Sequence, residues 1–159
     1  MTLDHLHPSL AQTVESMADD TVDIAQARQT ELNDVALWVA DMLVDSGHVD
    51  LTFICTHNSR RSHLAQVWAQ VGAEVSGLQG VRTFSGGTEA TACNPRTVAA
   101  MRRAGFQVAE QDTVRGATNP TYDVSMGMDV PGMACFSKRY TDEANPHQGF
   151  GAVMTCSSA

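Results

Sequence analysis

Residues 55–62 read Cys-Thr-His-Asn-Ser-Arg-Arg-Ser, directly after the apolar run Leu51-Thr52-Phe53-Ile54 and ahead of an amphipathic stretch. A strand that ends in a thiol, followed by arginines at the start of a helix, suits a cysteine nucleophile. The thiolate is the reactive form, and helix N-termini and neighbouring cations lower a cysteine pKa. Tetrahedral oxyanions, phosphate and its mimics, are the natural ligands of such a place. Successive backbone N–H groups of Thr56, His57, Asn58, Ser59, Arg60 and Arg61 can form an anion-binding nest. Arg61 adds a planar fork of donors for two oxygens. Ser62 can offer its hydroxyl to the Cys55 sulfur, which stabilises the thiolate. Asn58 tolerates unusual backbone angles and suits a tight loop. A spacing of six between Cys and Arg is common by chance, but arginines at a helix N-terminus oppose the dipole unless an anion sits there.

The elements that must hold this loop are legible in the pattern. Leu64, Val67, Trp68 and Val71 fall at i, i+3, i+4 and i+7, so the helix after the loop has an apolar face for a sheet. Val81–Phe84 reads as a second strand. A Gly-rich turn follows, then a helix from Pro95 to Ala104 with Asn94 as cap and Gly105 after its last turn. Ala134–Ser137 and Phe150–Cys156 read as a third and a fourth strand, and 122–128 as irregular or a short strand. Alternating strands and helices predict an α/β fold with a four-stranded parallel sheet flanked by helices. Ligands of such sheets bind beyond the carboxyl ends of the strands. Ahead of these elements, Pro8–Ala18 and Thr30–Ser46 predict two helices, the second with Leu32, Val35, Val39 and Leu43 on one face. Residues 1–48 are therefore read as a helical N-terminal extension and 49–159 as the α/β domain. Trp38 and Trp68 are expected in the core.

Composition fits that plan. The chain has 159 residues, 43% of them hydrophobic and 18% charged, as in an ordinary single globular domain. A net charge of −8 argues against a nucleic-acid partner, which requires clustered cations. No apolar run approaches the length of a membrane span and the N-terminus lacks a basic stretch followed by an apolar one, so no membrane contact and a cytoplasmic location are expected. Cys55, Cys93, Cys135 and Cys156 have no metal-ligand spacing, no metal or cofactor is expected, and His5 and His7 read as surface residues. Thiols of a cytosolic protein rest reduced, so any disulfide is expected to be catalytic. Of the histidines beside the loop, His57 is the better candidate to tune anion binding; His63 reads equally as a partly exposed polar residue.

The loop resembles that of the low-molecular-weight protein tyrosine phosphatases and the thioredoxin-coupled arsenate reductases, which share a phosphatase-I-like fold and a Cys-x5-Arg-Ser loop. The resemblance continues through Val81-Arg82-Thr83-Phe84-Ser85-Gly86-Gly87-Thr88, similar to the family's second strand and Ser-Ala-Gly-Thr turn. It extends to Tyr122-Asp123-Val124 and to Ala152-Val153-Met154-Thr155-Cys156. It implies Cys55 as nucleophile, with Arg61 and Ser62 as its catalytic neighbours and phosphate monoesters hydrolysed through a phosphocysteine. It also implies an alternative, ranked just behind, arsenate reduction, in which Cys156 resolves the arsenylated sulfur and thioredoxin receives the disulfide. The ligand is then a phosphate ester or an arsenate oxyanion. Two positions depart from the phosphatase pattern Cys-x-Gly-Asn-x-Cys-Arg-Ser: His57 stands for the glycine and Arg60 for the second cysteine. The family's general acid lies in an Asp-Pro pair, and none occurs here. Asp123, Asp129 and Asp142 match nothing in the motif. With that acid missing, a further reading is a C-terminally incomplete chain or a non-catalytic oxyanion-binding module.

Overall fold

The computed structural model describes residues 2–19, 24–111, 117–157 and 159. Its elements run α1 (Pro8–Asp19), α2 (Gln26–Ser46), β1 (Val49–Cys55), α3 (Arg61–Val75), β2 (Val81–Gly87), α4 (Pro95–Ala104), β3 (Gln107–Glu110), β4 (Tyr122–Ser125), β5 (Met133–Cys135) and β6 (Phe150–Met154). β1 is buried along its whole length and lies between parallel partners in the order β2-β1-β6. A strand covered on both faces and joined to its neighbour through a helix is the parallel βαβ arrangement that the apolar run predicts.

Among the described residues the parallel sheet has three strands, where four were expected. The segment read as its third strand forms β5, which pairs antiparallel with β4, and β4 with β3, in a separate sheet. β3 is exposed at three of its four positions, so its sequence carries no apolar signature of a strand, and the pairing across the sheet is what holds it. β6 stops at Met154, two residues short of the expected end.

Two apolar clusters hold the layers together. The larger joins Val67 and Val71 of α3 and Val98 and Met101 of α4 to Val124, Met126, Met133 and Cys135 around the antiparallel sheet. Leu6, Leu10 and Val14 from α1 and its entry belong to the same cluster. The smaller one joins Val39 of α2 to Val49, Leu51 and Phe53 of β1, with Ala73 and Val81. His7, expected at the surface, is buried, with Nε2 3.0 Å from Ser125 Oγ and its N–H donated to the Met126 carbonyl. Trp68 packs edge-on against Phe106 with centroids 5.3 Å apart, whereas Trp38 is 37% exposed. Asn94 caps α4 by accepting from the Arg96 N–H at 2.9 Å, and Gly105 ends it in the left-handed region.

Register decides where chemistry can happen. Cys55 lies level with Gly87 on one side, and Ile54 level with Met154 on the other. The carboxyl ends of all three parallel strands therefore meet at one edge, where the loop into α3 begins. Among the described residues, no helix is long and apolar enough to cross a membrane.

Candidate active site

The loop between β1 and α3 turns its amides inward because its carbonyls are tied outward. Cys55 O accepts from the Thr88 N–H at 3.1 Å and Thr56 O from the Glu89 N–H at 2.8 Å. His57 O accepts from Ser137 Oγ at 2.8 Å and from Thr91 Oγ1 at 3.4 Å. Ser59 O accepts from the Asn94 N–H at 3.0 Å and Thr97 Oγ1 at 3.2 Å. Across a trans peptide, a carbonyl and the following N–H point in opposite directions, so outward carbonyls leave N–H groups facing the enclosed space. Asn58 takes φ 43°, alone in that region among the described non-glycine residues. Gly87 must lack a side chain, since a Cβ would sit 2.7 Å from both Asn58 N and Thr56 O.

The thiol sits inside this frame. Cys55 Sγ is 3.1 Å from Ser62 Oγ, and Asn58 Nδ2 donates to that same oxygen at 2.8 Å. With one lone pair of Ser62 engaged by Asn58, its hydroxyl proton is free to point at sulfur. Burial pushes the Cys55 thiol up, but the Ser62 hydroxyl and the N–H groups of Ser62, Ser59 and Asn58 outweigh it and hold the pKa below the ordinary value. The Asn58 side chain is fully buried and faces the frame rather than the ligand space; its Oδ1 accepts from the Lys138 N–H at 3.0 Å.

Outside the sulfur is a cavity of about 560 Å³ lined by Cys55, His57, Ser59, Arg60, Arg61 and Thr91. Both guanidinium groups are exposed, and neither has a partner among the described residues. Two unpaired cations at the first turn of α3 suit an anion. His57 Nε2 lies 3.5 Å from Glu89 Oε2. Asp123, Asp129 and Asp142 do not line this cavity.

Cys156 comes to the same edge. Past the ladder, Thr155 donates both its N–H and its hydroxyl to Ile54 O, at 2.8 and 2.9 Å. Cys156 Sγ then lies 3.6 Å from Thr56 Oγ1. Cys93 and Cys135 are buried elsewhere, with pKa values pushed up by burial to about 11 and about 12, so they rest as thiols.

Behind the loop, the structure departs from expectation at His63, which is fully buried rather than partly exposed. Its Nδ1 is 3.2 Å from Ser85 Oγ and its Nε2 has no hydrogen-bond partner among the described residues. Burial, and then the Lys138 ammonium, drives its pKa down to about 4, so the ring is neutral. Lys138 is itself buried, with Nζ 4.5 Å from the Phe136 ring centroid. Sequence reasoning missed Lys138, Thr91, Glu89, Ser137 and Asn119, all of which serve the frame. Asn119 brackets Ser137, donating to its carbonyl at 2.8 Å and accepting from its N–H at 3.1 Å. For His63 there was a signal: it falls four residues before Val67 and eight before Val71, on the buried stripe. For the others there was none, because each acts across a long loop. Among the described residues, no group of three or more His, Cys, Asp or Glu side chains gathers as a metal site.

Comparison with known proteins agrees with this geometry. The family described as low molecular weight phosphotyrosine protein phosphatase matches residues 50–130. An arsenate reductase of Bacillus licheniformis is 43% identical over 61 residues. That stretch is 37% of this chain and 40% of the relative, so the chain spans well under two thirds of the relative's length.

Proposed function

This chain belongs to the low molecular weight phosphotyrosine protein phosphatase family, and on that footing we propose that it reduces arsenate, with Cys55 as nucleophile and Cys156 as resolving thiol. Family and relative together support the broader statement, a cysteine-based phosphatase or arsenate reductase. The observation that carries the narrower one is the contact of Cys156 Sγ with Thr56 Oγ1 at 3.6 Å, one residue from the nucleophile.

Attack by the Cys55 thiolate forms a sulfur–arsenic bond and breaks an arsenic–oxygen bond, the oxygen leaving as water once protonated. The loop amides and Arg61 hold the remaining oxygens. The Cys156 thiolate then attacks Cys55 Sγ. A sulfur–sulfur bond forms, the sulfur–arsenic bond breaks, and its electron pair stays on arsenic, which leaves as arsenite. Arsenic(V) becomes arsenic(III), and the two thiols are oxidised to a disulfide. An external dithiol of the thioredoxin class then reduces that disulfide.

Single-turnover reaction of the reduced protein with arsenate tests this. Wild type is expected to release arsenite and gain a Cys55–Cys156 disulfide on peptide mapping, and Cys156→Ser to stop at arsenylated Cys55. Arsenite release unchanged by Cys156→Ser would sink the assignment of the resolving thiol.

A second reading, hydrolysis of phosphate monoesters through phosphocysteine, is favoured by the Ser62–Cys55 contact at 3.1 Å, which suits sulfur as a leaving group in the second step. It needs Cys55 but not Cys156. Turnover of p-nitrophenyl phosphate by the Cys156→Ser variant separates it from reduction.

A further inference from the structure

We infer that His57, oriented by Glu89, is the acid that protonates the departing oxygen when Cys55 attacks, and bonds to, a tetrahedral oxyanion. The inference rests on the reading of this cavity as the place of thiolate attack, and it is common to arsenate and phosphate ester.

The attack expels an oxygen that leaves poorly without a proton, and the aspartate that would supply it has no counterpart around the cavity. Among the described residues, six line that space: Cys55, His57, Ser59, Arg60, Arg61 and Thr91. Cys55 is the nucleophile. Guanidinium groups keep their protons at any working pH. The Ser59 hydroxyl is committed to the Ala92 carbonyl at 2.7 Å and the Thr91 hydroxyl to the His57 carbonyl at 3.4 Å. His57 remains, and imidazole is the side chain suited to giving and retaking a proton near neutrality.

Its setting is fixed on both sides. The His57 carbonyl is held by Ser137 Oγ at 2.8 Å, and Glu89 is anchored to the same loop through its N–H to Thr56 O at 2.8 Å. The carboxylate faces Nε2 at 3.5 Å, which leaves Nδ1 without a hydrogen-bond partner among the described residues. A carboxylate at one ring nitrogen sets the ring's orientation and the nitrogen that works, as in other imidazole acids and bases. Glu89 does not line the cavity and acts through His57, as a positioning residue. In the step, the sulfur–phosphorus or sulfur–arsenic bond forms as the bond to the leaving oxygen breaks, and the Nδ1 proton moves to that oxygen. In ester hydrolysis the neutral ring then accepts a proton from the water that attacks phosphocysteine.

The test compares two esters that differ in their need for a proton: p-nitrophenyl phosphate, whose phenolate leaves unaided, and phenyl phosphate, whose phenolate does not. For His57→Asn, kcat/KM on phenyl phosphate is expected to fall roughly 10²-fold further than that on p-nitrophenyl phosphate. Competitive inhibition by inorganic phosphate, measured on the same variant, reports whether the loop still binds the anion. Glu89→Gln should give the same pattern at smaller amplitude. Equal losses on both esters, or no loss on phenyl phosphate, would overturn the inference while leaving attack by Cys55 standing. No Cys55-dependent release from either ester by the wild type would overturn the inference, and arsenylation of Cys55 in the same protein would show that attack by Cys55 still stands. If His57→Asn weakens phosphate inhibition, Glu89→Gln decides alone: a loss confined to phenyl phosphate supports the assignment, and its absence overturns it.

Discussion

The anion loop and the flank beside it are built to different standards. Residues 55–62 are strapped from four directions, by Thr88 and Glu89, by Thr91 to Thr97, by Ser137 and by Lys138, and the Asn58 side chain at their centre is fully buried. Across β1, the 21 residues of α2 bury Val39 alone, while Leu37 and Val44 stand 65% and 84% exposed. β6 has no fully buried residue, and Met154 is 51% exposed. One half of the site is therefore prebuilt to receive a charged tetrahedron, where preorganised donors act most strongly. The other half brings Cys156 to the rim on a lightly held edge. An oxyanion cradle gains from rigidity, whereas the resolving thiol we propose has to cross from Thr56 to the Cys55 sulfur.

The largest expected effect breaks the comparison at its centre. Cys55→Ser removes the nucleophile and should take both arsenate turnover and p-nitrophenyl phosphate hydrolysis to background. Phosphate should still bind, because the straps do not pass through sulfur; calorimetric titration with inorganic phosphate checks this. Asn58→Ala comes next. It deletes the bonds to Ser62 Oγ and to the Lys138 N–H in a buried place and puts alanine at φ 43°. A loss of roughly 2–4 kcal/mol in denaturant unfolding is expected. Alkylation of Cys55 by iodoacetamide should slow at neutral pH, since Ser62 is no longer directed at the thiolate. Asn58→Gly should recover the backbone part of the stability but not the alkylation rate.

Smaller than these is a pH effect from the ring buried under the loop. In the unfolded chain His63 takes up a proton below its ordinary value of about 6.5, which the native ring, at about 4, refuses. The unfolded state then binds more protons, so stability falls as pH drops from about 6.5 to about 4, by roughly 3 kcal/mol in full. His63→Gln should flatten that part of the curve in urea unfolding followed from pH 7 to pH 4. An unchanged slope would mean that the imidazole reaches water.

The two halves also differed in how far they could be read from sequence. β1, α3, β2 and α4 stood out because each carries its signal within a few neighbouring residues: an unbroken apolar run, an i, i+3, i+4, i+7 face, and an Asn-Pro start with a Gly stop. The contact of Ser62 with the Cys55 sulfur was readable for the same reason, since both lie in one short loop. The antiparallel sheet was not, since β3 and β5 have only four and three residues and are defined by partners 9 to 18 positions away along the chain. The outer straps, Ser137 above all, join the loop from 80 residues away, and no local pattern encodes that meeting. α2 was recognised as a helix, but its apolar positions did not reveal that Leu32 and Val35 would remain 44% and 42% exposed.

The smallest effect would sharpen the comparison most. Trp38 spans the gap between α2 and β6: a Cβ on Gly151 would meet its ring at 2.7 Å, and Leu51 and Val153 line the same groove. A buried tryptophan replaced by alanine costs about 3–5 kcal/mol; with this ring more than a third exposed, Trp38→Ala should cost roughly 1–2 kcal/mol. Phosphate inhibition, set by the strapped loop, should not move. Formation of the Cys55–Cys156 disulfide should change, because the indole backs the strand that carries Cys156 to the rim. If phosphate affinity fell together with disulfide formation, the two halves would be one mechanical unit, and the loop would owe part of its shape to the flank. If only the disulfide step moved, capture and resolution would be separable along the line where β1 meets β6.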